Sequence, residues 1–459
     1  MAERTVVVVG GGITGLTAAR SLLSDAPEGT HVLLLEASER LGGKLRTENL
    51  DGIQIEAGAD SFLAREPDAL ALCGELGLRD ELVAPAVFGG LVWNGTRALP
   101  LPSGTVMGIP TSTASVLGAR TLSPWGKARA LGDLVIPGRL HGNDVSVAAL
   151  VRRRFGSEVL EGMVDPILAG TRAGVPDEMS LRSSLPQIDK AARSHRSLML
   201  GLRKLRRADD PGHPLFYAPG KGMSRLVDAL HADLTDAEIH TERPAVKVTA
   251  RRRGNYLVDT EDGDRIEAAG VVIALPATAA AKLLADLSDG AAGGLARIRH
   301  ASVAVMMLVF EAGALRIPPG SSGVLVPSAA SGVLSAATWW SAKWPHTVPD
   351  DRVVVRAFVG RSGRHEALDR PDEDLVAAAV TELNQILRSA AHPAAWRVVR
   401  WEDALAQYDV GHGGRVSRIE GALEPHSGIV LAGADYRGSG IPDCIGQGIT
   451  AARRVAASL

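Results

Sequence analysis

Short apolar runs separated by glycine-rich or polar segments make up the beginning of the chain. Val6 to Val9 is an apolar run that ends at a cluster of glycines, and a helix-forming stretch from Leu16 to Leu23 follows it. A second apolar run, His31 to Leu35, ends in Glu36. Apolar runs of this length are typical of buried parallel strands, because helices cover both faces of such sheets. The pattern predicts a strand–helix–strand unit.

The middle of the chain changes from a helical pattern to a strand pattern. Between about residues 95 and 205 we predict helices, one capped by Ser123 with Pro124 in its first turn and another beginning near Asp144. Residues 213–222 contain proline, glycine and lysine and are predicted to form a loop. The segments predicted after this loop are a helix at Met223–Leu234 and strands at Ala245–Thr249, Tyr256–Thr260, Arg265–Glu267 and Gly270–Leu275.

The pattern in the last third of the chain predicts a second sheet, followed by one more strand and a helix. Strand patterns occupy roughly residues 300–400, and the apolar run Ala301–Phe310 is predicted to be a buried strand. A charged helix is predicted at Asp372–Arg388. Gly428–Ala434 is predicted to be one more buried strand, followed by a glycine-rich turn and a helix that runs to the end of the chain.

The glycines after the first strand have the spacing of a dinucleotide-binding turn. Gly10 allows a tight turn, Gly12 lets a pyrophosphate approach the backbone, and Gly15 lets helix and strand pack closely. The N-terminus of the following helix offers N–H groups and a positive dipole end to phosphates. Glu36 lies 21 residues after Gly15, where a carboxylate can accept hydrogen bonds from a ribose. The sequence therefore predicts a dinucleotide site.

Composition limits the function further. The chain has 459 residues, 46% of them hydrophobic, and a net charge of −2, which leaves no overall positive charge for binding nucleic acid. Its two cysteines, Cys73 and Cys444, predict neither a disulfide framework nor a metal cluster. No signal peptide and no uninterrupted apolar run of membrane-spanning length is present, so we expect a soluble, cytoplasmic protein.

The residues after Glu36 indicate which dinucleotide is bound. Glu36-Ala37-Ser38-Glu39-Arg40-Leu41-Gly42-Gly43 resembles the FAD-binding signature of the superfamily of amine oxidases, phytoene desaturases and protoporphyrinogen oxidases. The resemblance implies non-covalently bound FAD, with Arg40 adding positive charge near the pyrophosphate. The residues expected to contact FAD in this first part are Gly10, Gly11, Gly12, Ile13, Thr14, Gly15, Glu36, Ala37, Arg40, Gly43, Lys44, Gly58, Ala59, Asp60 and Ser61.

Segments far apart in sequence are expected to complete the FAD site. An extended backbone at Val246 is suited to the adenine edge, and Asp435 belongs to a segment that resembles a second FAD fingerprint. The helix after Gly440 is expected to point its positive end at the flavin, which would stabilise an anionic reduced ring. The residues expected to contact FAD here are Val246, Ala274, Trp401, Gly433, Asp435, Gly440, Ile441, Pro442 and Asp443. No metal site is expected.

The fold expected from these patterns is α/β. A Rossmann-like FAD-binding domain of the type found in this superfamily is interleaved with a mixed-sheet substrate domain and a helical subdomain. The predicted FAD domain comprises residues 1–75, 215–290 and 400–459. The predicted substrate domain comprises 76–95 and 291–399, and the helical domain, at the substrate cavity or a membrane face, comprises 96–214.

Further motifs resemble those of the bacterial oxygen-dependent porphyrinogen oxidases of haem synthesis. They are Ala59–Leu63, Pro102–Thr111, Lys343–His346, Gln407–His412 and Gly438–Ile445. The resemblance covers essentially the whole chain and is nearest to the branch that oxidises coproporphyrinogen III to coproporphyrin III. It implies three two-electron oxidations, each passing a hydride to FAD, with O₂ reduced to H₂O₂. The cofactor carries this chemistry, which agrees with the lack of a nucleophile–base motif in the sequence.

Propionate groups on such a substrate call for cations at the cavity. Arg65, Arg172 and Lys343 are the candidates, and Lys343 resembles the flavin-proximal lysine of amine oxidases. The stretch from Lys190 to Arg207 carries seven basic residues without an acid, which favours a solvated helix face. Its alternatives are peripheral contact with a membrane surface or with the next enzyme of the haem pathway, a ferrochelatase.

Four alternative functions stay open at this stage. Preference for protoporphyrinogen IX depends on cavity shape, which the sequence does not give. A flavin amine oxidase would use an aromatic cage, for which only Tyr436 is evident, and a covalent flavin would use Cys444. A carotenoid desaturase would need a more hydrophobic tunnel. A non-catalytic flavoprotein could keep the same fold.

Overall fold

A computed structural model describes residues 4–136, 140–208, 214–251 and 254–459, with the backbone alone over 205–208. The strands are β1 (Arg4–Val9), β2 (Thr30–Leu35), β3 (Thr47–Leu50), β4 (Ile53–Glu56), β5 (Phe62–Leu63), β6 (Leu82–Val83), β7 (Gly90–Trp93), β8 (Ala98–Pro100), β9 (Thr105–Val106), β10 (Ile109–Pro110), β11 (Phe216–Pro219), β12 (Glu238–His240), β13 (Ala245–Ala250), β14 (Tyr256–Thr260), β15 (Arg265–Ala268), β16 (Gly270–Ile273), β17 (His300–Glu311), β18 (Gly323–Leu325), β19 (Leu334–Trp339), β20 (Arg352–Val359), β21 (Ala395–Ala406) and β22 (Ile429–Leu431).

The α-helices are α1 (Ile13–Asp25), α2 (Pro67–Glu75), α3 (Thr113–Gly118), α4 (Pro124–Leu131), α5 (Val147–Phe155), α6 (Ser157–Val159), α7 (Asp165–Arg172), α8 (Leu181–Ser184), α9 (Pro186–Ser194), α10 (Leu198–Ala208), α11 (Ser224–Asp233), α12 (Ala277–Leu283), α13 (Asp289–Leu295), α14 (Trp340–Lys343), α15 (Asp372–Leu387), α16 (His412–Leu423) and α17 (Ile441–Ala456). Within the described ranges, none of these helices combines the length and the apolar character needed to cross a lipid bilayer.

A five-stranded parallel sheet in the order β12-β2-β1-β16-β22 forms the nucleotide-binding part of the fold. Its central strand is β1, whose four valines are at most 2% exposed because both faces of the sheet are covered. Helices α1, α11 and α17 pack on one face, and helices α12, α13 and α16 with the β13–β15 meander pack on the other. The strand–helix–strand unit predicted from the first apolar runs is thereby confirmed.

A seven-stranded mixed sheet in the order β21-β17-β20-β19-β18-β7-β8 forms the second layer. The long strand β17, which lies between β21 and β20, contains the predicted apolar run, and α15 covers one face of the sheet. The predicted second sheet and charged helix are thus confirmed, with α15 ending one residue earlier than expected. The predicted domain boundaries at 95/96 and 399/400 fall between β7 and β8 and inside β21; the division into domains stays a prediction.

Helices α3 to α10 pack around a separate apolar core in the third part of the fold. The prediction of a loop over residues 213–222 is wrong at its centre, because β11 pairs antiparallel with β5 and β6. This strand is only four residues long and contains Pro219, so sequence pattern alone did not reveal it. In the predicted basic stretch, Arg196, Arg203 and Lys204 are exposed. The side chains of Arg206 and Arg207 lie outside the described residues.

Candidate functional site

The glycine turn between β1 and α1 is built from close backbone contacts around one open position. Gly10 has a φ of +106°, and a Cβ on it would lie 2.6 Å from the carbonyl oxygen of Ala274. A Cβ on Gly15 would lie 1.8 Å from the carbonyl oxygen of Gly10, so strand and helix meet only because this residue is glycine. A Cβ on Gly12 would meet nothing within 4 Å. The space beside Gly12, at the N-terminus of α1, therefore fits a pyrophosphate.

Glu36 brings a carboxylate to the same turn from the end of β2. Its Oε2 accepts a hydrogen bond from the N–H of Gly11 at 2.6 Å. Its Oε1 accepts from the N–H and the hydroxyl of Ser38, at 2.8 and 2.7 Å. Ala37, between them, is exposed. This is the placement that a ribose-binding acid requires.

The segment after Glu36 is fixed by Arg40. The guanidinium donates to the carbonyl oxygens of Leu41, Gly43 and Leu45, at 3.0, 2.5 and 3.3 Å. Arg40 therefore holds the turn around Gly43, which has a φ of +56°. Its expected contact with the pyrophosphate stays a prediction, and its observed contacts are with its own loop. Lys44 next donates to the carbonyl oxygen of Ala404.

The turn from Gly58 to Ser61 lies against this loop. The N–H of Ala59 donates to the carbonyl oxygen of Lys44 at 3.1 Å, and a Cβ on Gly58 would lie 1.8 Å from the same oxygen. The indole N–H of Trp401, on β21, donates to the carbonyl oxygen of Ala57 at 2.7 Å. Two predicted cofactor segments 344 positions apart in sequence are thus joined.

Asp60 lies between two cations, one of which sequence reasoning missed. Lys343 Nζ is 2.6 Å from Asp60 Oδ2, and Arg356 Nη1 is 3.5 Å from the same oxygen. Arg356 also donates to the carbonyl oxygen of Gly58. Burial alone would raise the pKa of Asp60, but these two cations hold that pKa well below its usual range. Lys343 was predicted to bind substrate; in the structure its ammonium pairs with Asp60, and its contact with substrate stays a prediction.

Glu56 lies beside this group in an apolar environment. Its Oε1 accepts hydrogen bonds from the N–H of Met223 and the hydroxyl of Thr47, both at 2.9 Å. Its Oε2 is buried and has no hydrogen-bond partner among the described residues. Burial raises the pKa of Glu56 to about 7 against these hydrogen bonds and the charge of Arg356.

The segment after β22 carries a buried carboxylate. Asp435 Oδ2 accepts from the N–H of Ala277 at 2.7 Å and lies 2.6 Å from Nε2 of His300. Both side chains are nearly inaccessible to solvent. Burial alone would raise the pKa of Asp435, but the contact with His300 keeps that pKa below its usual value. Asp435 was expected to reach FAD directly, whereas this oxygen points toward Ala277 and His300. Gly433, two residues earlier, has a φ of +134°.

The N-terminus of α17 follows at Gly440-Ile441-Pro442. The carboxylate of Asp443 accepts from the N–H of Gly440 at 3.0 Å and closes the first turn. Cys444 is buried and hydrogen-bonded to the side chain of Thr14, and burial raises the pKa of its thiol to about 11. The structure therefore brings α17 to the same turn as the start of α1.

The remaining predicted residues lie around these turns. Val246 falls at an irregularity in the β13–β14 ladder and is 47% exposed, which leaves its backbone available to an adenine edge. Arg65 is exposed just after β5. Arg172 is half-buried at the end of α7. Arg356 and His300 were missed: the only sequence signal for Arg356 is a charge inside an apolar strand, and His300 gave none.

Comparison with known proteins adds three findings. The family model for flavin containing amine oxidoreductase matches residues 13–456. Coproporphyrinogen III oxidase of Bacillus subtilis is 34% identical over 97% of this chain and 96% of its own, and bovine protoporphyrinogen oxidase is 31% identical over 98% of each. A crystal structure of a protein from Exiguobacterium sp. 255-15 superposes with a TM-score of 0.90 at 31% identity, covering 100% of both chains.

Proposed function

The chain belongs to the flavin-containing amine oxidoreductase family, and from this we propose that it is an FAD-dependent coproporphyrinogen III oxidase that forms coproporphyrin III in haem biosynthesis. The observation that carries the proposal is the 34% identity to the Bacillus subtilis coproporphyrinogen III oxidase over 97% of the chain. A likeness that extends through the cofactor turns and the helical region supports a shared substrate class.

The proposed cofactor is non-covalent FAD. The open space at Gly12, the carboxylate of Glu36 and the exposed backbone at Val246 fit a pyrophosphate, a ribose and an adenine respectively. Cys444, in the first turn of α17, is the candidate for a covalent link, but its raised pKa disfavours the thiolate that such a link requires. We keep all the predicted FAD contacts in this proposal, with Asp435 acting beside His300.

FAD, when bound, would supply the two-electron redox chemistry by which each of three steps removes a hydride from a meso carbon of the substrate and a proton from a pyrrole N–H. Over the whole reaction, six electrons and six protons removed from the porphyrinogen would balance the reduction of three molecules of dioxygen to three of hydrogen peroxide. The chain's own residues would orient the ring and exclude water. The N-terminus of α17 and Arg356, the second cation beside Asp60, would supply fixed positive charge near the site of electron uptake.

The competing substrate is protoporphyrinogen IX, because the chain is also 31% identical to the bovine protoporphyrinogen oxidase. Amine oxidation is less well supported. The phenol of Tyr436 lies 3.4 Å from the carbonyl oxygen of Leu275, and that of Tyr408 donates to the carbonyl oxygen of Ala434 at 2.7 Å. Both rings are buried, so neither is available as the wall of an aromatic cage.

Location and partners complete the proposal. We propose that the protein works in the cytoplasm and hands its product to a ferrochelatase. The exposed cations Arg196, Arg203 and Lys204 fit the predicted solvated helix face, and contact with that enzyme or with a membrane stays the alternative for them.

Aerobic turnover tests the proposed reaction. The purified, FAD-loaded protein is given coproporphyrinogen III, and porphyrin fluorescence and hydrogen peroxide are followed together. We expect three molecules of peroxide for each porphyrin formed, because each oxidation step reduces one dioxygen. Porphyrin formation at the rate of a heat-inactivated control would refute the proposal.

A further inference from the structure

The guanidinium of Arg172 is half-buried and donates no hydrogen bond to any of the residues that the structure describes. No carboxylate among those residues lies within the 4.0 Å of an ion pair with it. Arginine side chains with this degree of burial normally satisfy their five donors with carbonyl or carboxylate oxygens. Arg361, which is more deeply buried, donates to three carbonyl oxygens. The N–H groups of the Arg172 guanidinium are therefore available to a bound ligand that carries acceptor oxygens.

The backbone around Arg172 is held on both sides. The side-chain amide of Gln407 donates to the carbonyl oxygen of Arg172 at 3.2 Å, and the N–H of Ser362 donates to that of Ala173 at 2.8 Å. Ala173 has a φ of +50°, a left-handed conformation that is costly for a residue with a Cβ. Strained residues persist where the surrounding structure fixes them, often at ligand sites.

The polar groups that face Arg172 are already engaged. Tyr408 and Asp443 are the titratable groups that interact electrostatically with it. The phenol of Tyr408 donates to the carbonyl oxygen of Ala434 and accepts from the N–H of Gly438 at 3.0 Å. Asp443 accepts from the N–H of Gly440. Burial lowers the pKa of Arg172 in spite of these groups, as it does for a cation without a close counter-ion.

This arrangement separates Arg172 from the other predicted substrate cations. Lys343 is neutralised by Asp60, and Arg65 is exposed. Arg172 instead lies at the C-terminal end of α7, across from the first turn of α17, which the proposed function puts beside the flavin. A guanidinium is well suited to bind a carboxylate through two parallel hydrogen bonds.

We propose that Arg172 binds a propionate carboxylate of the porphyrinogen substrate and so orients the macrocycle between α7 and the N-terminus of α17. This inference rests on the proposed function, since it takes its ligand from the proposed substrate. It also gives a basis for substrate choice. Coproporphyrinogen III has four propionates and protoporphyrinogen IX has two, so the former offers more orientations in which Arg172 is satisfied.

Equilibrium binding of coproporphyrin III to the FAD-loaded protein tests the subsite without requiring turnover. We compare the wild type with Arg172→Gln and Arg172→Lys, and use coproporphyrin III tetramethyl ester as a second probe. Arg172→Gln should weaken binding of the acid about 10- to 100-fold. Arg172→Lys should lose less, because it keeps the charge. Binding of the ester should be unchanged in both variants, which also shows that the cavity remains folded.

Arg152→Gln is the matched control, because Arg152 is an exposed arginine of the same helical region that pairs with Asp177. Its affinity for both probes should equal that of the wild type. Equal affinity of Arg172→Gln and wild type for the acid, or equal weakening of acid and ester, would overturn the subsite while coproporphyrinogen turnover still supported the proposed function. A wild-type protein that neither binds nor oxidises any of these tetrapyrroles would refute the proposed function and the subsite with it.

Discussion

Lys343 Nζ lies 2.6 Å from Oδ2 of Asp60, a contact that joins two segments 283 positions apart in sequence. Arg356 approaches the same carboxylate from β20, so one buried anion serves two cations. A buried charge is costly when its partner is removed, because little water is present to replace it. The stability of the turn that carries Gly58 and Asp60 therefore depends on this group of three charges.

Asp60→Asn should destabilise the protein more than Lys343→Met does. The first change leaves the buried Arg356 and the half-buried Lys343 without their anion and should cost about 3–5 kcal/mol, while the second leaves Asp60 paired with Arg356. Thermal unfolding of the apoproteins measures the difference. The double variant should be less destabilised than the sum of the two changes, since both remove the same ion pair. Equal and additive effects would contradict the arrangement.

Gly12→Ala should abolish cofactor binding without unfolding the protein. The new methyl group would enter the open space at the turn, where we place the pyrophosphate, and FAD affinity should fall at least about a hundredfold. Gly15→Ala should instead unfold this region, because its Cβ would lie 1.8 Å from a carbonyl oxygen. Flavin titration and the unfolding midpoint of each apoprotein separate the two effects.

Gly74→Ala is the control for these glycine variants. Gly74 lies in α2, is exposed, and a Cβ there would meet nothing within 4 Å. It should stabilise the helix by at most about 1 kcal/mol and leave FAD binding unchanged. Normal FAD affinity of Gly12→Ala would show that the pyrophosphate lies elsewhere.

Glu56→Gln should change the pH dependence of stability. Because burial raises the pKa of Glu56 to about 7, the folded state binds its proton more tightly than the unfolded state does. The proton on Glu56 therefore contributes to the free energy of unfolding at a pH below the unfolded pKa of this group, and this contribution is lost as pH rises through about 7. The total loss is on the order of 3 kcal/mol. The variant, which carries no such proton, should therefore gain stability relative to wild type between about pH 5 and pH 8.

Unfolding midpoints of both proteins across this pH range measure the gain. The exposed Glu28→Gln variant serves as the control and should show a difference from wild type that does not vary with pH. A constant difference between Glu56→Gln and wild type would mean that Glu56 stays ionised throughout.

Denaturation should release all of the flavin. The thiol of Cys444 is buried and its pKa is raised to about 11, so almost none of it is thiolate at neutral pH. After acid precipitation we expect the yellow colour in the supernatant and none in the pellet, for wild type and Cys444→Ser alike. Flavin that remains in the pellet of the wild type only would establish a covalent bond to this cysteine.

The parts of the fold and site that sequence predicted are those whose determinants are local. Four consecutive valines are typical of a strand covered on both faces, and the spacing of Gly10, Gly12 and Gly15 has its own geometric reason. The order of these elements predicted the strand–helix–strand unit correctly, although α1 begins at Ile13, three residues before the predicted Leu16. The placement of Glu36 beside the glycine turn follows from the same short stretch.

The parts that sequence did not predict depend on contacts between distant segments. Asp60 and Lys343 were each expected near the cofactor, but nothing local indicates that they neutralise each other. Arg356 lies in a strand where alternating burial had no reason to place a charge, and its partners come from the other end of the chain. Strand β11 exists because β5 and β6 present their edges to it. Such pairings are set by the tertiary fold.

Anaerobic reduction of the bound flavin tests the central claim most directly. Coproporphyrinogen III and protoporphyrinogen IX are mixed separately with the FAD-loaded protein in the absence of oxygen, and the flavin absorbance is followed. We expect rapid bleaching with coproporphyrinogen III, slower bleaching with protoporphyrinogen IX, and return of the yellow colour with porphyrin fluorescence when air is admitted. Flavin that neither substrate bleaches, but that an amine such as benzylamine does, would contradict the account.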